Sequence, residues 1–246
     1  PAALPGAPHL SVVIPACNEA DNIVALVLEV DTALRGLVAY ETIVVDDGST
    51  DATLARLTAH AAGGASPLRV IRHLRNAGQS TAIRTGVRVA RGEWIATLDG
   101  QNDPADIPGL WAQAGATANP RIIVCGHRTR RRDDWVRLLS SRIANGVRSR
   151  LLRDATPDTG CGLKIFRREI FLDLPVFDHM HRFLPALVRQ CGGESISVPV
   201  NHRPRRHGVS KYGIGNRLWV GLVDLAGVAW LGRRRPLTEF EEVSPE

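Results

Sequence analysis

Over roughly the first hundred residues, short apolar runs alternate with segments of helical spacing, and this alternation narrows the possible folds more than any other feature. The runs are Leu10 to Ile14, Glu41 to Val45, Leu68 to Arg72 and Trp94 to Leu98. Helical segments follow each: about Asp21 to Arg35, Asp51 to Ala62, Ser80 to Ala90 and Ile107 to Ala118. In the first of these, Ile23, Leu26, Val27 and Val30 fall on one face of a 3.6-residue period. Repeated strand–helix units predict an α/β fold with a mostly parallel central sheet and helices on both faces. Such sheets bind ligands beyond the carboxyl ends of their strands. The polar turns after the runs are therefore the candidate site.

The second half is less regular. Ile122 to Gly126, Leu163 to Phe166 and Ser195 to Val200 read as strands, with His127 to Arg132 a basic loop. Helical spacing recurs over Trp135 to Leu152, Phe183 to Cys191 and Gly215 to Leu231. We divide the chain into a loose lead-in (1–9), the α/β domain (10–214), and a C-terminal amphipathic helix with an acidic tail (215–246).

Charge limits the partners. The formal net charge of +6 points to an anionic one, such as a phosphorylated substrate or an anionic membrane. Aromatic residues make up only 5% and no base-stacking signature is present, so nucleic acid is not expected. The cysteines, Cys17, Cys125, Cys161 and Cys191, are scattered without a C-x-x-C pair, which disfavours zinc and fits a reducing compartment. No apolar run reaches the length of about 18 residues needed to cross a bilayer, and no secretory leader is read.

Three stretches carry chemistry. Asp46-Asp-Gly-Ser-Thr-Asp51 closes a strand and opens a helix, where carboxylates can accept from nucleobase N–H groups or ribose hydroxyls. The same residues also suit a plain turn with a helix cap. Asp99-Gly-Gln-Asn-Asp103 follows the Trp94 run, and Asp99 and Gln101, with Asp103 close behind, offer the hard oxygen donors that Mg²⁺ or Mn²⁺ takes. Arg203-Pro-Arg-Arg-His-Gly-Val-Ser-Lys211 is dense in phosphate-binding types. Neither a dinucleotide G-x-G-x-x-G nor a P-loop is present.

Taken in order, SVVIPACNEADNI, ETIVVDDGSTDAT, LRNAGQSTAIRTG, GEWIATLDGQNDPADIP, DTGCGLKIFRREIF and RPRRHGVSKYG make the chain resemble the family 2 glycosyltransferases of GT-A fold. It looks closest to the dolichyl- or polyprenyl-phosphate sugar synthases, a dolichol-phosphate mannose synthase-like branch. The resemblance implies an inverting transfer of sugar from a nucleotide-sugar donor to polyprenyl phosphate. A divalent Mg²⁺ or Mn²⁺ would assist, on the cytoplasmic face of a membrane.

It also implies site residues. Pro15, Asn18 and Glu19 match the motif lining the nucleotide pocket, and Asp47 the carboxylate on base or ribose. Gly78 and Gln79 lie in the segment beneath the nucleotide. Arg128 matches an arginine facing acceptor phosphate, and Arg137 with Ser141 a pair serving the same group. Arg205, Gly208, Ser210 and Lys211 match a loop closing over diphosphate or acceptor. At the metal motif the chain departs from its relatives: Asp99 stands where D-x-D is usual, as though two residues were lost, leaving Asp99 and Gln101 as metal ligands. That departure motivates a rival reading, a glycosyltransferase-like protein that binds nucleotide sugar or lipid phosphate with little or no turnover. In the last helix Trp219 and Trp230, eleven positions apart by numbering, project to nearly the same side, which predicts a helix lying on a membrane or over a lipid groove.

Overall fold

A computed structural model describes residues 7–64, 66–128, 146, 148–149, 151–152, 154, 156–201 and 214–234. Its frame is a seven-stranded sheet in the order β3-β2-β1-β4-β6-β5-β7. The strands are β1 (Leu10–Ala16), β2 (Tyr40–Asp47), β3 (Leu68–His73), β4 (Trp94–Thr97), β5 (Ile122–Arg128), β6 (Lys164–Arg167) and β7 (Glu194–Val200). All neighbours pair in parallel except β6, which runs antiparallel to both β4 and β5. Helices α1 (Ile23–Leu34), α2 (Thr53–Ala62), α3 (Gln79–Val89), α4 (Ile107–Gly115), α5 (Arg168–Leu172), α6 (Leu184–Gln190) and α7 (Ile214–Arg234) accompany the sheet, with 3₁₀ turns at Pro104–Asp106 and Met180–Arg182.

The period-2 alternation of the strands divides the core in two. Val12, Ile14, Val44 and Leu98 pack with α1 and α4 through Leu26, Val30 and Leu110. Val13, Ile43, Val45 and Ile95 pack with α3, α6 and α7 through Ala82, Val87, Leu187, Leu225 and Val228. Gly86 lets α3 close on β1, because a Cβ there would collide with the Val13 side chain.

The four expected βα units are all present. The first differences lie at strand ends. Strand β2 continues through Asp46 and Asp47, in register with Ala16 on β1 and with Arg72 and His73 on β3. Strand β5 takes up His127 and Arg128, expected in a basic loop, because they pair with Pro199 and Val200 of β7. Helix α4 is preceded by a 3₁₀ turn, Pro104–Asp106, whose cap is Asp103 through Ala105 N at 3.1 Å. The short helix α5 was not anticipated. Most of the segment expected as a helix over Trp135 to Leu152 lies outside the described residues; positions 146, 148–149 and 151–152 within it are helical. Among the described residues no helix is long and apolar enough to cross a membrane.

Candidate nucleotide and metal site

The carboxyl ends of β1, β2 and β4 form one edge, and the turns after β1 and β2 are bonded to each other. Asn18 adopts a left-handed φ of 55° just after β1. Its Oδ1 accepts from Thr50 N at 2.8 Å, while its own N–H donates to Ser49 Oγ at 2.9 Å. Glu19 N donates to Thr53 Oγ1 at 2.9 Å, and the Glu19 carboxylate accepts from Asn22 at 3.1 Å. Asn18 and Glu19 thus tie the turn after β1 to the turn after β2, with Pro15 at the end of β1 beneath them.

The two aspartates ending β2 differ. Both are buried, Asp46 at 1% exposure and Asp47 at 4%. Asp47 Oδ1 takes His73 Nδ1 at 2.7 Å and Ala77 N at 2.9 Å, whereas Oδ2 takes Gly78 N at 2.9 Å. His73 is held from behind by Thr85 at 2.9 Å. Asp47 therefore anchors the β3–α3 turn, and its Oδ2 has capacity for a further donor. Asp46 Oδ1 accepts from Ser49 N at 3.3 Å, but its buried Oδ2 has no partner among the described residues. Gly48 has a φ of 68°, and a Cβ there would come within 2.6 Å of Asn76 N, so only glycine lets the β3–α3 turn approach.

At the end of β4, Asp99 Oδ1 accepts from Gln101 N at 3.0 Å. The buried Asn102 side chain reaches Cys161 Sγ at 3.3 Å, and Thr97 Oγ1 donates to Gly162 O at 2.7 Å. These bonds press the Asp158–Gly162 turn against Asp99, and a Cβ on Gly162 would overlap the Asp99 carboxylate. Lys164, only 2% exposed, holds the same turn by donating to the carbonyls of Cys161 and Thr159. Arg128 lies at the end of β5 with Nε and Nη2 on the two Asp158 oxygens, at 2.7 and 2.9 Å. Burial lowers the Arg128 pKa, but the Asp158 hydrogen bond and charge outweigh it, helped by Cys161 and Asp99, and the net shift is upward. Burial pushes the Cys125 thiol up to about 12 and raises that of Cys161, so neither offers a thiolate nucleophile.

The structure thus brings Pro15, Asn18, Glu19, Asp47, Gly78, Gln79, Asp99, Gln101 and Arg128 to the carboxyl edge of one sheet. Arg137, Ser141, Arg205, Gly208, Ser210 and Lys211 lie outside the described residues. Asp103, a candidate donor, is instead the cap of the turn before α4. Sequence reasoning missed Asp158, the partner of Arg128, and Asn102 and Lys164, which hold the turn against Asp99. A lysine inside the apolar run Leu163 to Phe166 and an aspartate just before a Gly-Cys-Gly turn were the available signals.

The donor set can be tested against a divalent cation. Asp99 and Gln101 are hard oxygen donors at a strand end, yet among the described residues no three His, Cys, Asp or Glu side chains could hold an ion by themselves. The residues fit an ion whose shell is completed by diphosphate oxygens and water, the usual Mg²⁺ arrangement, and do not fit a stand-alone metal centre.

Comparison with known proteins settles the family. The model of glycosyl transferase family 2 matches residues 11–174, from β1 to just beyond α5. The chain belongs to glycosyl transferase family 2. It is 38% identical over 231 residues to the dodecaprenyl-phosphate galacturonate synthase of Rhizobium johnstonii, covering 92% of this chain and 68% of that one. It is 36% identical over 211 residues to the undecaprenyl-phosphate 4-deoxy-4-formamido-L-arabinose transferase of Sodalis glossinidius, covering 83% and 63%. The chain therefore spans about two thirds of the length of these curated relatives. Among solved structures, the fold matches a Pyrobaculum calidifontis mannosyltransferase in complex with GDP-Man and Mn²⁺ at a TM-score of 0.65, with 21% identity, 94% of this chain and 66% of that one covered. It also matches glucosyl-3-phosphoglycerate synthase from Mycobacterium tuberculosis, in complex with Mn²⁺, UDP and phosphoglyceric acid, at 0.68, with 20% identity and coverage of 93% and 80%. As a family 2 transferase, the chain has the α/β GT-A-like fold, with a largely parallel sheet flanked by helices.

Proposed function

We propose that this chain transfers a sugar from a nucleotide-sugar donor to polyprenyl phosphate, inverting the anomeric centre, while docked on the cytoplasmic face of a membrane. The observation that carries the reading is the placement of Asp99 at the end of β4, pressed against Gly162 and sharing one edge with Asp47 and the Arg128–Asp158 pair. The relatives support the acceptor class, since both are named for polyprenyl-phosphate substrates.

In this reading the nucleoside lies over the turns joined by Asn18 and Asp47, and Asp47 Oδ2 accepts from ribose or base. Gly78 and Gln79 underlie the diphosphate. Asp99 and Gln101 would hold Mg²⁺ or Mn²⁺, whose charge would offset that of the leaving diphosphate. An acceptor phosphate oxygen attacks the anomeric carbon from the face opposite the leaving group. It is already anionic near neutral pH, so no side chain needs to remove a proton. What the protein supplies is positive charge between two anions. Arg128 contributes there, shared with Asp158, and we assign Arg137, Arg205 and Lys211 to the same task, with Ser141 and Ser210 donating hydrogen bonds to phosphate.

A second reading follows from the single carboxylate at the end of β4: a protein that binds nucleotide sugar or lipid phosphate without turnover. One experiment separates the two. The protein is incubated with undecaprenyl phosphate, Mn²⁺ and a panel of radiolabelled UDP- and GDP-sugars, and label is followed into the organic phase. Transfer supports the enzyme. Nucleotide binding without transfer favours the second reading.

A further inference from the structure

Between α7 and the carboxyl edge runs a strap, residues 177–183, to which neither the resemblance nor the site gives a task. Two imidazoles hold it, facing opposite ways. His179 has a left-handed φ of 62°, and its Nδ1 pairs with Asp224 Oδ2 on α7 at 3.0 Å. Asn18 is the other described non-glycine residue with positive φ, and it too lies at this edge. A backbone in that region is uncommon without glycine and persists where the surroundings hold it. His181 turns inward, with Nδ1 2.7 Å from the Oγ of Ser80 in the first turn of α3.

Ser80 meets both the ring and the backbone of His181. Ser80 Oγ also receives the His181 backbone N–H, at 3.4 Å. The hydroxyl carries one hydrogen and two lone pairs, so Nδ1 can accept from it or donate to it, and the bond fixes the ring against α3 in either case. Burial pushes the His181 pKa down to about 3, with Lys164, Arg182 and His179 acting in the same direction. The ring is therefore neutral across the working pH range and keeps its bond to Ser80. Ser80 is itself 3% exposed. It follows Gly78, whose φ is 87° and whose N–H holds Asp47 Oδ2. A contiguous path thus runs from Asp224 on α7 through His179, His181 and Ser80 to Gly78 and Asp47.

We propose that His181 is a positioning residue for the nucleotide donor: through Ser80 it holds the first turn of α3, and with it the Gly78 amide and the Asp47 carboxylate, in the orientation the donor meets. The role rests on the reading of this edge as a nucleotide site. It explains why an imidazole is buried here at all, since an apolar side chain would take from the Ser80 hydroxyl its partner at 2.7 Å.

Asparagine and glutamine separate the two ring nitrogens, because the Asn amide reaches the place of Nδ1 and the Gln amide that of Nε2. The test is calorimetric titration of UDP and GDP with Mn²⁺ into the full chain and into His181→Ala, His181→Asn, His181→Gln and Ser80→Ala, with melting curves for each. His181→Ala, His181→Gln and Ser80→Ala should weaken the nucleotide that wild type binds by at least about tenfold. His181→Asn should stay within about threefold, and Ser80→Ala with His181→Ala should be no worse than either alone. Rescue by Gln rather than Asn would overturn the role, making the imidazole a direct ligand contact. Unchanged affinity in folded His181→Ala would overturn it too. Should that variant fail to fold, Ser80→Ala, which removes one oxygen, decides in the same way. Wild type that binds neither nucleotide overturns the nucleotide reading itself, whereas binding unaltered by the variants overturns this role alone.

Discussion

Arg128 and Asp158 meet fork to fork, two parallel hydrogen bonds of 2.7 and 2.9 Å between side chains exposed by only 9% and 6%. Bidentate geometry is the strong form of this contact, but much of its strength offsets the cost of removing two charges from water. Breaking one side should therefore cost more than removing both. Asp158→Asn leaves a buried guanidinium half-paired and is expected to lower stability by about 3 kcal/mol in urea titration. Arg128→Met with Asp158→Leu should recover most of that stability while label transfer to polyprenyl phosphate stays lost. Full transfer by the double variant would remove Arg128 from the acceptor site.

Gly162 sits where any side chain would meet the Asp99 carboxylate and Asn102 Oδ1. Gly162→Ala must displace Asp99 or the turn that carries Cys161. Because the turn is tied by Asn102, Thr97 and Lys164, Asp99 is expected to move. Turnover should fall at least about tenfold, equivalent to roughly 1.4 kcal/mol of transition-state stabilisation. Paired kinetics and melting curves check this: a large melting shift with normal turnover would show that the turn had moved instead.

His181 gives stability a pH dependence in a window of its own. The unfolded chain takes a proton on this residue below about pH 6.5, whereas the folded chain resists it down to about 3. The unfolded state thus binds more protons as the pH falls through that window, and stability is lost, by at most about 1.4 kcal/mol per pH unit. Glu41 adds nothing until lower pH: burial raises its pKa, but Arg69, the Arg91 amide and Ser11 outweigh this and hold it below the ordinary value. Melting curves at pH 7 and pH 5 should converge in His181→Asn. An unchanged gap between them would assign the loss to other groups.

Helix α7 turns Leu225 and Val228 into the core and leaves Leu222, Val223 and Trp230 exposed by 48%, 59% and 60%. Arg233 and Arg234 follow on the exposed side, each able to contribute about 1 kcal/mol at an anionic surface. Asp224 points inward to His179. The Trp219 side chain, expected beside Trp230, lies outside what is described. Val223→Ser with Trp230→Ser should abolish flotation with vesicles containing phosphatidylglycerol and leave the melting temperature within a few degrees. Flotation equal to wild type would remove this face from any membrane contact.

The sheet and its candidate edge were legible because they depend on local period. Alternating residues in β1, β2 and β4 and helical spacing in α1 are properties of single segments, and the βα rule then places the turns together. The pairs that give the site its geometry are not local. Arg128 finds Asp158 thirty positions on by numbering, and Ser80 finds His181 only once the strap has crossed α3. No spacing distinguishes Asp46 from Asp47 either. Which of them is engaged is decided by the amides of Ala77 and Gly78, delivered by another loop. The extension of β5 through His127 and Arg128 has the same origin, since their pairing partner is the later strand β7.

The shortened aspartate motif yields the most decisive measurement. Asp99 is the carboxylate at the end of β4, and Asp103 is turned away as a cap. One carboxylate with an amide oxygen binds a divalent cation weakly unless phosphate oxygens complete the shell. Metal and nucleotide should then bind together, and linkage requires each to tighten the other by the same factor. Calorimetric titration of UDP and GDP with and without Mn²⁺ measures that factor directly. In wild type we expect metal to tighten the nucleotide at least about tenfold, a coupling of roughly 1.4 kcal/mol, within the ordinary range for linked sites. Asp99→Asn keeps the shape and the Gln101 N–H contact but loses the charge, so its nucleotide affinity should match that of metal-free wild type and no longer respond to Mn²⁺. Gln101→Ala should retain a reduced response. If wild type binds nucleotide equally with and without metal, Asp99 is a structural anchor for the Gly162 turn, and a binding protein without turnover becomes the better reading of the molecule.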